Sequence, residues 1–203
     1  GLITLQPDLG SASLYVPSLF AMLLAAGARF RHLLLVVVIA TMAAPASWPL
    51  LKDHQKRRFI AIVQQLRGSD EGAQDINYQS STAQRLVGAG GLTGVSDSKA
   101  RALVRYNSLP EAHNDMIFAV IALRSGLFGG VVTLLLYMLW TVGVVGTAAN
   151  CRDPFGRVLV IGLAVFVAVQ AVINVGMTIG LLPIIGVTMP FVSYGGSSML
   201  TCW

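Results

Sequence analysis

Charged side chains are scarce in this chain: Asp, Glu, Lys and Arg make up 11% of its 203 residues, whereas hydrophobic residues make up 55%. Soluble globular domains carry roughly 25% charged residues, so this scarcity excludes an ordinary soluble domain and indicates an integral membrane protein. Acidic residues are the scarcer sign, and the net charge is +5. Basic residues beside membrane spans set topology or contact anionic lipid. We therefore expect membrane lipids as partners and no nucleic acid.

Cysteine is scarce as well. The two cysteines, Cys151 and Cys202, lie far apart in the chain, and their number and spacing exclude a disulfide framework or a zinc-type site. The chain begins at Gly1 and stops at Trp203 inside an apolar stretch, so we expect it to be a part of a longer protein.

Five apolar segments predict an all-α, polytopic bundle of transmembrane helices. They cover residues 11–28, 33–51, 115–145, 158–182 and 190–203. The second segment has 19 residues. As a helix it would span about 28 Å, which matches the ~30 Å hydrocarbon core of a bilayer.

The short loops predict the orientation of these helices. Residues 29–32 and 150–157 form short basic loops, which we expect in the cytoplasm. Alternation of the helices then places 52–113 and 183–189 outside. We predict that 52–113 is an extracytoplasmic loop with interfacial helices, because its residues 59–63 are typical of an amphipathic stretch at the membrane surface.

Two motifs stand out. Residues 109–118 read Leu-Pro-Glu-Ala-His-Asn-Asp-Met-Ile-Phe, and residues 180–198 read Gly-Leu-Leu-Pro-Ile-Ile-Gly-Val-Thr-Met-Pro-Phe-Val-Ser-Tyr-Gly-Gly-Ser-Ser. Lipid does not tolerate irregular backbone, so the Gly- and Ser-rich end of the second motif must pack against helices or line a polar cavity. Both motifs closely resemble signatures of the SEDS family, the RodA- and FtsW-like membrane glycosyltransferases that polymerise the lipid-linked precursor of the bacterial cell wall.

The resemblance has several implications. Residues 1–203 would be the C-terminal half of one SEDS-like membrane domain, with about five of ten helices present, in the bacterial cytoplasmic membrane. The activity would be polymerisation of lipid II into glycan strands outside that membrane, in elongation or division, with polyprenyl pyrophosphate as leaving group. The partners would be lipid II, the growing glycan strand and a class B penicillin-binding protein. We expect this part of the chain alone to be inactive.

Asp115 is the candidate catalytic residue. Taken alone, it is an ordinary carboxylate at the start of a helix, where the helix dipole favours it. The resemblance instead implies the essential acid of the polymerase, although Asn114 and Met116 depart from the family motif. A pyrophosphate leaving group needs no proton, so one general base suffices to activate the acceptor hydroxyl. An exposed Asp, with a pKa of ~3.9, is a weak base, so the hypothesis requires Asp115 to be partly buried or coupled to a neighbour.

Further residues are candidates for substrate binding or for support of the site. Lys and Arg bind phosphate, so loop cations could hold the pyrophosphate; alternatively a divalent cation, Mg²⁺ or Mn²⁺, could do so, whereas no organic cofactor is expected. The substrate-binding candidates are Glu111, His113, Arg85, Lys99, Arg101, Arg105, Ser193, Tyr194 and Ser197. The supporting candidates are Asp8, Gln170, Asn174, Gly195 and Gly196.

Ordinary structural roles compete with several of these. Glu111 is equally typical of a solvated loop acid, and Asp8 of a helix start. Gln170 and Asn174 lie four residues apart on one face of a helix, where amides commonly form hydrogen bonds between membrane helices.

Two other functions remain open at this point. One is a transporter of the lipid-linked precursor, and the other is a non-catalytic scaffold of the division or elongation machinery. The family tends to place two acidic residues where this chain has Leu123 and Arg124. If those acids support the active-site geometry, their absence would impair activity, which makes the scaffold less remote. Only a polymerase requires the carboxylate of Asp115 for chemistry.

Overall fold

The computed structural model describes residues 9–43, 74–106, 114–182 and 184–194. Within these ranges the secondary structure is helical and contains no strand, which confirms the predicted all-α class. The helices are α1 (Leu9–Ala25), α2 (Phe30–Ala43), α3 (Gln74–Gly90), α4 (Asp97–Tyr106), α5 (Ile117–Ala149) and α6 (Pro154–Thr178).

Two of these helices, α5 and α6, are long and apolar enough to cross a membrane. They have 33 and 25 residues, and about 20 residues suffice to span the hydrocarbon core. Large apolar side chains on the second half of α5 are exposed, among them Leu135, Leu136, Met138 and Leu139. Such a surface is unfavourable in water and suits a lipid environment, so these helices are those of a membrane protein.

The helices end where glycine allows a left-handed turn. The sequence predicted a first helix that continues to 28, but α1 ends at Ala25 because Gly27 has φ +91°. The N–H of Gly27 donates to the carbonyl of Leu24 at 3.0 Å, which closes the helix end. Similarly α6 ends at Thr178 rather than 182, just before Gly180 with φ +81°.

Helix α5 is broken at Gly126, where the sequence predicted a continuous helix. The backbone there has φ +67° and ψ −166°. The break frees two N–H groups, and those of Leu127 and Phe128 donate to the carbonyls of Gly91 and Leu92 at 2.9 and 3.2 Å. Buried backbone groups must find such partners, so the turn after α3 makes the break possible.

The chain divides into two compact units, and the candidate site lies within one of them. The first unit comprises Gly1–Gly72 with Val144–Phe166, and the second comprises Ala73–Gly143 with Val167–Trp203. In the first, the rings of Tyr15 and Phe166 lie 5.6 Å apart.

The second unit has a core that joins the loop helices to the start of α5. Its buried residues come from α3 (Ala83, Leu86), α4 (Ala100) and the first turns of α5 with the residue before them, namely Met116, Ala119 and Leu123. Residues of the predicted loop 52–113 therefore form helices with an apolar face buried against α5, and burial of that face fixes α3 and α4 beside the residues that precede α5.

Candidate functional site

Asp115 lies in the turn 114–116 that immediately precedes α5. Its side chain is partly buried. The carboxylate oxygen Oδ2 lies 3.4 Å from the position that a Cβ would occupy on Gly186. Gly186 has φ +74°, a conformation that glycine adopts without strain. Gly186 of residues 184–194, which we call the return segment, therefore lies next to the carboxylate.

Asn174 on α6 connects Asp115 to the return segment. Its side chain is completely buried. The amide nitrogen Nδ2 donates to the carbonyl oxygen of Asp115 and to that of Val187, each at 2.8 Å. The amide oxygen Oδ1 is buried and has no hydrogen-bond partner among the residues that the structure describes. One side chain thus holds the backbone on both sides of the carboxylate.

Ser193 makes a second connection at the other end of the return segment. Its buried hydroxyl donates to the carbonyl oxygen of Asn114 and accepts from the N–H of Met189, both at 2.7 Å. The hydroxyl of Tyr137, on α5, donates to the carbonyl oxygen of Pro190. Side chains thereby satisfy backbone groups that have no helical partner, as the interior of a membrane protein requires.

The return segment contains one strained residue. Phe191 has φ +62°, a conformation that a bulky residue rarely adopts. Its ring packs edge-on against Trp140 with the ring centroids 5.6 Å apart. The turn at 190–193 that Phe191 makes possible stands where the sequence predicted the start of a fifth helix.

Basic side chains lie on the outward faces of the loop helices. Ala100 of α4 is buried in the core, whereas Lys99, Arg101 and Arg105 on the same helix are exposed. Arg85 on α3 is exposed too. The structure thus leaves all four predicted pyrophosphate contacts accessible to an anion.

Arg124 on α5 pairs with Asp97 at the start of α4. The distance between the guanidinium and the carboxylate is 2.5 Å. Hydrogen bonding and charge from Arg124, with a smaller contribution of charge from Arg101, hold the pKa of Asp97 below its ordinary value. Arg124 thus has an acidic partner within the second unit.

The other predicted site residues are distributed as follows. Tyr194 is exposed, and Gln170 is partly buried one turn before Asn174. The remaining candidates lie outside the described residues, and these are Asp8, Glu111, His113, Gly195, Gly196 and Ser197.

Sequence reasoning missed three participants. Gly186 was not distinguished from the other glycines of its motif, and only its place beside Asp115 reveals its role. Tyr137 had a weak signal, as a hydroxyl-bearing residue within the apolar α5. Asp97 had none, because its partner Arg124 is 27 residues away in the chain.

The described residues do not provide a metal site made of protein ligands alone. No group of three or more His, Cys, Asp or Glu side chains that could hold an ion occurs among them. Mg²⁺ bound to phosphates commonly takes only one or two carboxylates, and Asp115 is the carboxylate that the structure places at the site.

Known proteins resemble this chain along almost its whole length. It is 37% identical to the probable peptidoglycan glycosyltransferase FtsW of Thiomicrospira cyclica, over 98% of this chain and 50% of that protein. It is 34% identical to the peptidoglycan glycosyltransferase MrdB of Escherichia coli, over 98% and 53%, and 31% identical to the stage V sporulation protein E of Bacillus subtilis, over 98% and 52%. The chain thus spans about half the length of these relatives.

A solved structure shares the fold. This structure comes from a study of how a peptidoglycan synthase complex coordinates polymerization and crosslinking. The TM-score is 0.77 and the sequence identity is 30%, and the match covers 98% of this chain and 54% of the other. The profile of the FtsW, RodA and SpoVE cell cycle proteins matches residues 1–203. The chain therefore belongs to the FtsW, RodA and SpoVE family of cell cycle proteins, as its resemblance to SEDS proteins predicted.

Proposed function

We propose that the full-length protein is a peptidoglycan glycosyltransferase that polymerises lipid II, with Asp115 as general base. The observation that carries the proposal is the position of Asp115: a partly buried carboxylate at the start of a membrane helix, next to Gly186. Partial burial and a fixed backbone are what a carboxylate needs to accept a proton in a defined direction. The similarity to named peptidoglycan glycosyltransferases supports the same reaction.

The reaction proceeds as an inverting displacement. The oxygen of the acceptor hydroxyl attacks the anomeric carbon of the donor sugar, and a new glycosidic C–O bond forms. The bond between that carbon and the pyrophosphate oxygen breaks, and the electron pair leaves with the polyprenyl pyrophosphate. Asp115 receives the proton of the acceptor hydroxyl. The pyrophosphate is already a weak base, so it leaves without taking up a proton.

The developing charge on the pyrophosphate needs cations. Arg85, Lys99, Arg101 and Arg105 are exposed on the loop helices, and α3 and α4 are packed against the start of α5. Arginine binds phosphate through two parallel hydrogen bonds and lysine as a point charge. We assign them collectively to the pyrophosphate, with Mg²⁺ or Mn²⁺ as an additional or alternative ligand.

The proposed setting is the bacterial cytoplasmic membrane, which the full-length protein would cross several times. The loop 52–113 and Asp115 would face outside, where the lipid-linked donor carries its own activation. The relative from a complex that couples polymerization with crosslinking supports a crosslinking partner, a class B penicillin-binding protein. The role that we propose is in cell-wall elongation or division.

The test is polymerisation of purified lipid II by the full-length protein with its partner. Asp115→Asn removes the base and preserves the shape, so we expect polymer to be lost while the complex with the partner persists. Asp153→Asn is the matched control. Asp153 caps α6 by accepting from the N–H of Gly156 at 2.8 Å, and asparagine caps a helix equally well.

The alternatives predict different outcomes. Equal polymer from wild type and Asp115→Asn would remove Asp115 from the mechanism. Absence of polymer from the wild type, in conditions under which a known polymerase of the family is active, would favour the transporter or the scaffold. A vesicle assay for movement of lipid II across the bilayer then distinguishes these two.

A further inference from the structure

The geometry points to Asn174 as the positioning residue for Asp115, an inference that rests on the proposed role of Asp115 as base. Both hydrogen bonds of the Asn174 side chain go to main-chain atoms. It acts on the backbone, by donating to the carbonyl oxygens of Asp115 and Val187 at 2.8 Å each. Val187 follows Gly186, whose backbone lies against the carboxylate. Asn174 therefore sets how far apart the base and the return segment lie.

Only an amide of this length meets these requirements. A primary amide has two N–H donors on one nitrogen, and Asn174 uses that nitrogen for two carbonyls from different parts of the chain. Aspartate has the same shape, but when ionised it is an acceptor only and would face two carbonyl oxygens. Leucine is branched at the same carbon, is larger and has no donor. The direction of the two bonds is therefore the property that selects asparagine.

The amide oxygen of Asn174 supports its role in positioning Asp115. Oδ1 of Asn174 is buried without a partner among the described residues, while the amide nitrogen makes both hydrogen bonds. Rotation of the amide by 180° would place Oδ1 against two carbonyl oxygens, so its orientation is fixed by its surroundings. An asparagine that only links helices by hydrogen bonds would use both the donor nitrogen and the acceptor oxygen of its amide. Among the described residues only the donor end has partners, and one of these is the backbone carbonyl of Asp115.

A neighbouring buried residue offers a matched control. Thr178, one turn further along α6, is also completely buried. Its hydroxyl donates to the carbonyls of Asn174 and Val175 within the same helix, at 3.1 and 2.8 Å. Thr178→Val keeps the shape of the side chain and removes a buried hydroxyl whose two hydrogen bonds go to the backbone of α6 itself. If the loss of any buried polar group in α6 lowers stability or activity, Thr178→Val should show that effect too.

The experiment compares Asn174→Asp, Asn174→Leu and Thr178→Val in the full-length protein with its partner. The turnover number kcat and the KM for lipid II are measured from about pH 5.5 to about pH 8. Hydrogen exchange by mass spectrometry is measured on peptides that contain residues 114–118 and 184–190. Size-exclusion chromatography checks that each variant is folded and bound to its partner.

We expect both Asn174 variants to lower kcat at least about tenfold with KM within about twofold of wild type. Amide hydrogen exchange should become faster in both peptides of the Asn174 variants. Thr178→Val should change neither kcat nor the exchange rates. In Asn174→Asp, the protonated carboxyl regains one donor. Its kcat relative to wild type should therefore rise as the pH falls, and that of Asn174→Leu should not.

Two outcomes would overturn the inference. The first is wild-type kcat and unchanged exchange in the Asn174 variants. The second is a loss of activity in Asn174→Leu and Thr178→Val alike, in proportion to the loss of folded protein. Failure of the proposed function can be distinguished from failure of this inference. In that case Asp115→Asn would stay active or the wild type would make no polymer. The exchange data would still decide whether Asn174 holds the two segments.

Discussion

Arg124 donates two hydrogen bonds to a single carboxylate oxygen of Asp97, from Nε at 2.8 Å and from a terminal nitrogen at 2.5 Å. The pair joins the start of α4 to α5, two helices that also share the apolar core. From the resemblance to SEDS proteins we expected acidic residues at the position of Arg124. The structure gives that residue an acidic partner, so the basic side chain is accommodated locally.

The pair makes a small part of the stability dependent on pH. The pKa of Asp97 is lowered in the folded protein, first by the hydrogen bond from Arg124 and then by its charge. A lowered pKa contributes stability above the ordinary pKa, and this contribution is lost as the pH falls through the lowered value. Because both side chains are about half exposed, the contribution should be modest and should weaken in high salt.

Asp97→Asn measures that contribution. We expect the difference in unfolding temperature between wild type and variant to be present at neutral pH and to vanish in acid, and to shrink in high salt. The charge-swapped double variant Asp97→Arg with Arg124→Asp should recover only part of the difference, because the new arginine would lie at a helix start and near the charge of Arg101. A difference that is the same at all pH values would show that the charge of Asp97 has no role.

The glycines at the end of α3 and in the turn that follows it provide a graded series. A Cβ on Gly94 would lie 2.1 Å from the carbonyl oxygen of Arg124, and Gly94 has φ +83°. Gly91 has φ +56° but open space around it, and Gly88 has open space and no positive φ. The left-handed conformation alone costs a residue with a Cβ about 1–2 kcal/mol.

Alanine at each position should therefore give a distinct effect on unfolding. Gly91→Ala should lose about 1–2 kcal/mol, and Gly94→Ala should lose more because the backbone of α5 must also move. Gly88→Ala, within α3, should gain about 0.5–1 kcal/mol. Urea or thermal unfolding in detergent measures the three values, and equal effects at 91 and 94 would contradict the close backbone approach.

Ser193 and Tyr194 are neighbours with different expected roles. The hydroxyl of Ser193 is buried and bonded on both sides, so Ser193→Ala should cost about 1–3 kcal/mol of stability because two backbone groups lose a partner. Tyr194 is 80% exposed, so Tyr194→Phe should leave stability unchanged. If Tyr194 contacts lipid II, the KM of this variant rises, and an unchanged KM would remove it from the substrate site.

The exposed cations of α4 should affect substrate binding rather than folding. Alanine substitution of Lys99, Arg101 or Arg105 removes a charge from an accessible face, so we expect a several-fold increase in the KM for lipid II and an unchanged unfolding temperature. Arg152→Ala is the control, because Arg152 is exposed in the loop between α5 and α6. The proposed pyrophosphate contact fails at any position whose variant behaves like Arg152→Ala.

Dependence on a divalent cation can be tested directly. Mg²⁺ that serves phosphate chemistry commonly binds through the phosphates and one or two carboxylates, so we propose that an ion serving the reaction would arrive with the pyrophosphate. We expect EDTA to reduce polymerisation and added Mg²⁺ or Mn²⁺ to restore it, with no change in unfolding temperature. Full activity in EDTA would mean that the basic residues bind the pyrophosphate without a divalent cation.

The sequence by itself determined the class of protein and the position of its main candidate residue. Apolar runs long enough to span lipid predicted the helices, because burial in hydrocarbon requires a helical backbone and apolar side chains. The two motifs predicted the family and directed attention to Asp115. Both properties are local, and a local pattern can be read along the chain.

Only the tertiary structure decided which residues surround the carboxylate. The contact between Gly186 and Asp115, the two bonds of Asn174 and the pairing of Arg124 with Asp97 each join residues distant in the chain. The break at Gly126 likewise depends on carbonyls from the turn after α3. Such contacts arise when helices pack, and packing satisfies polar groups across long sequence separations that no local pattern records.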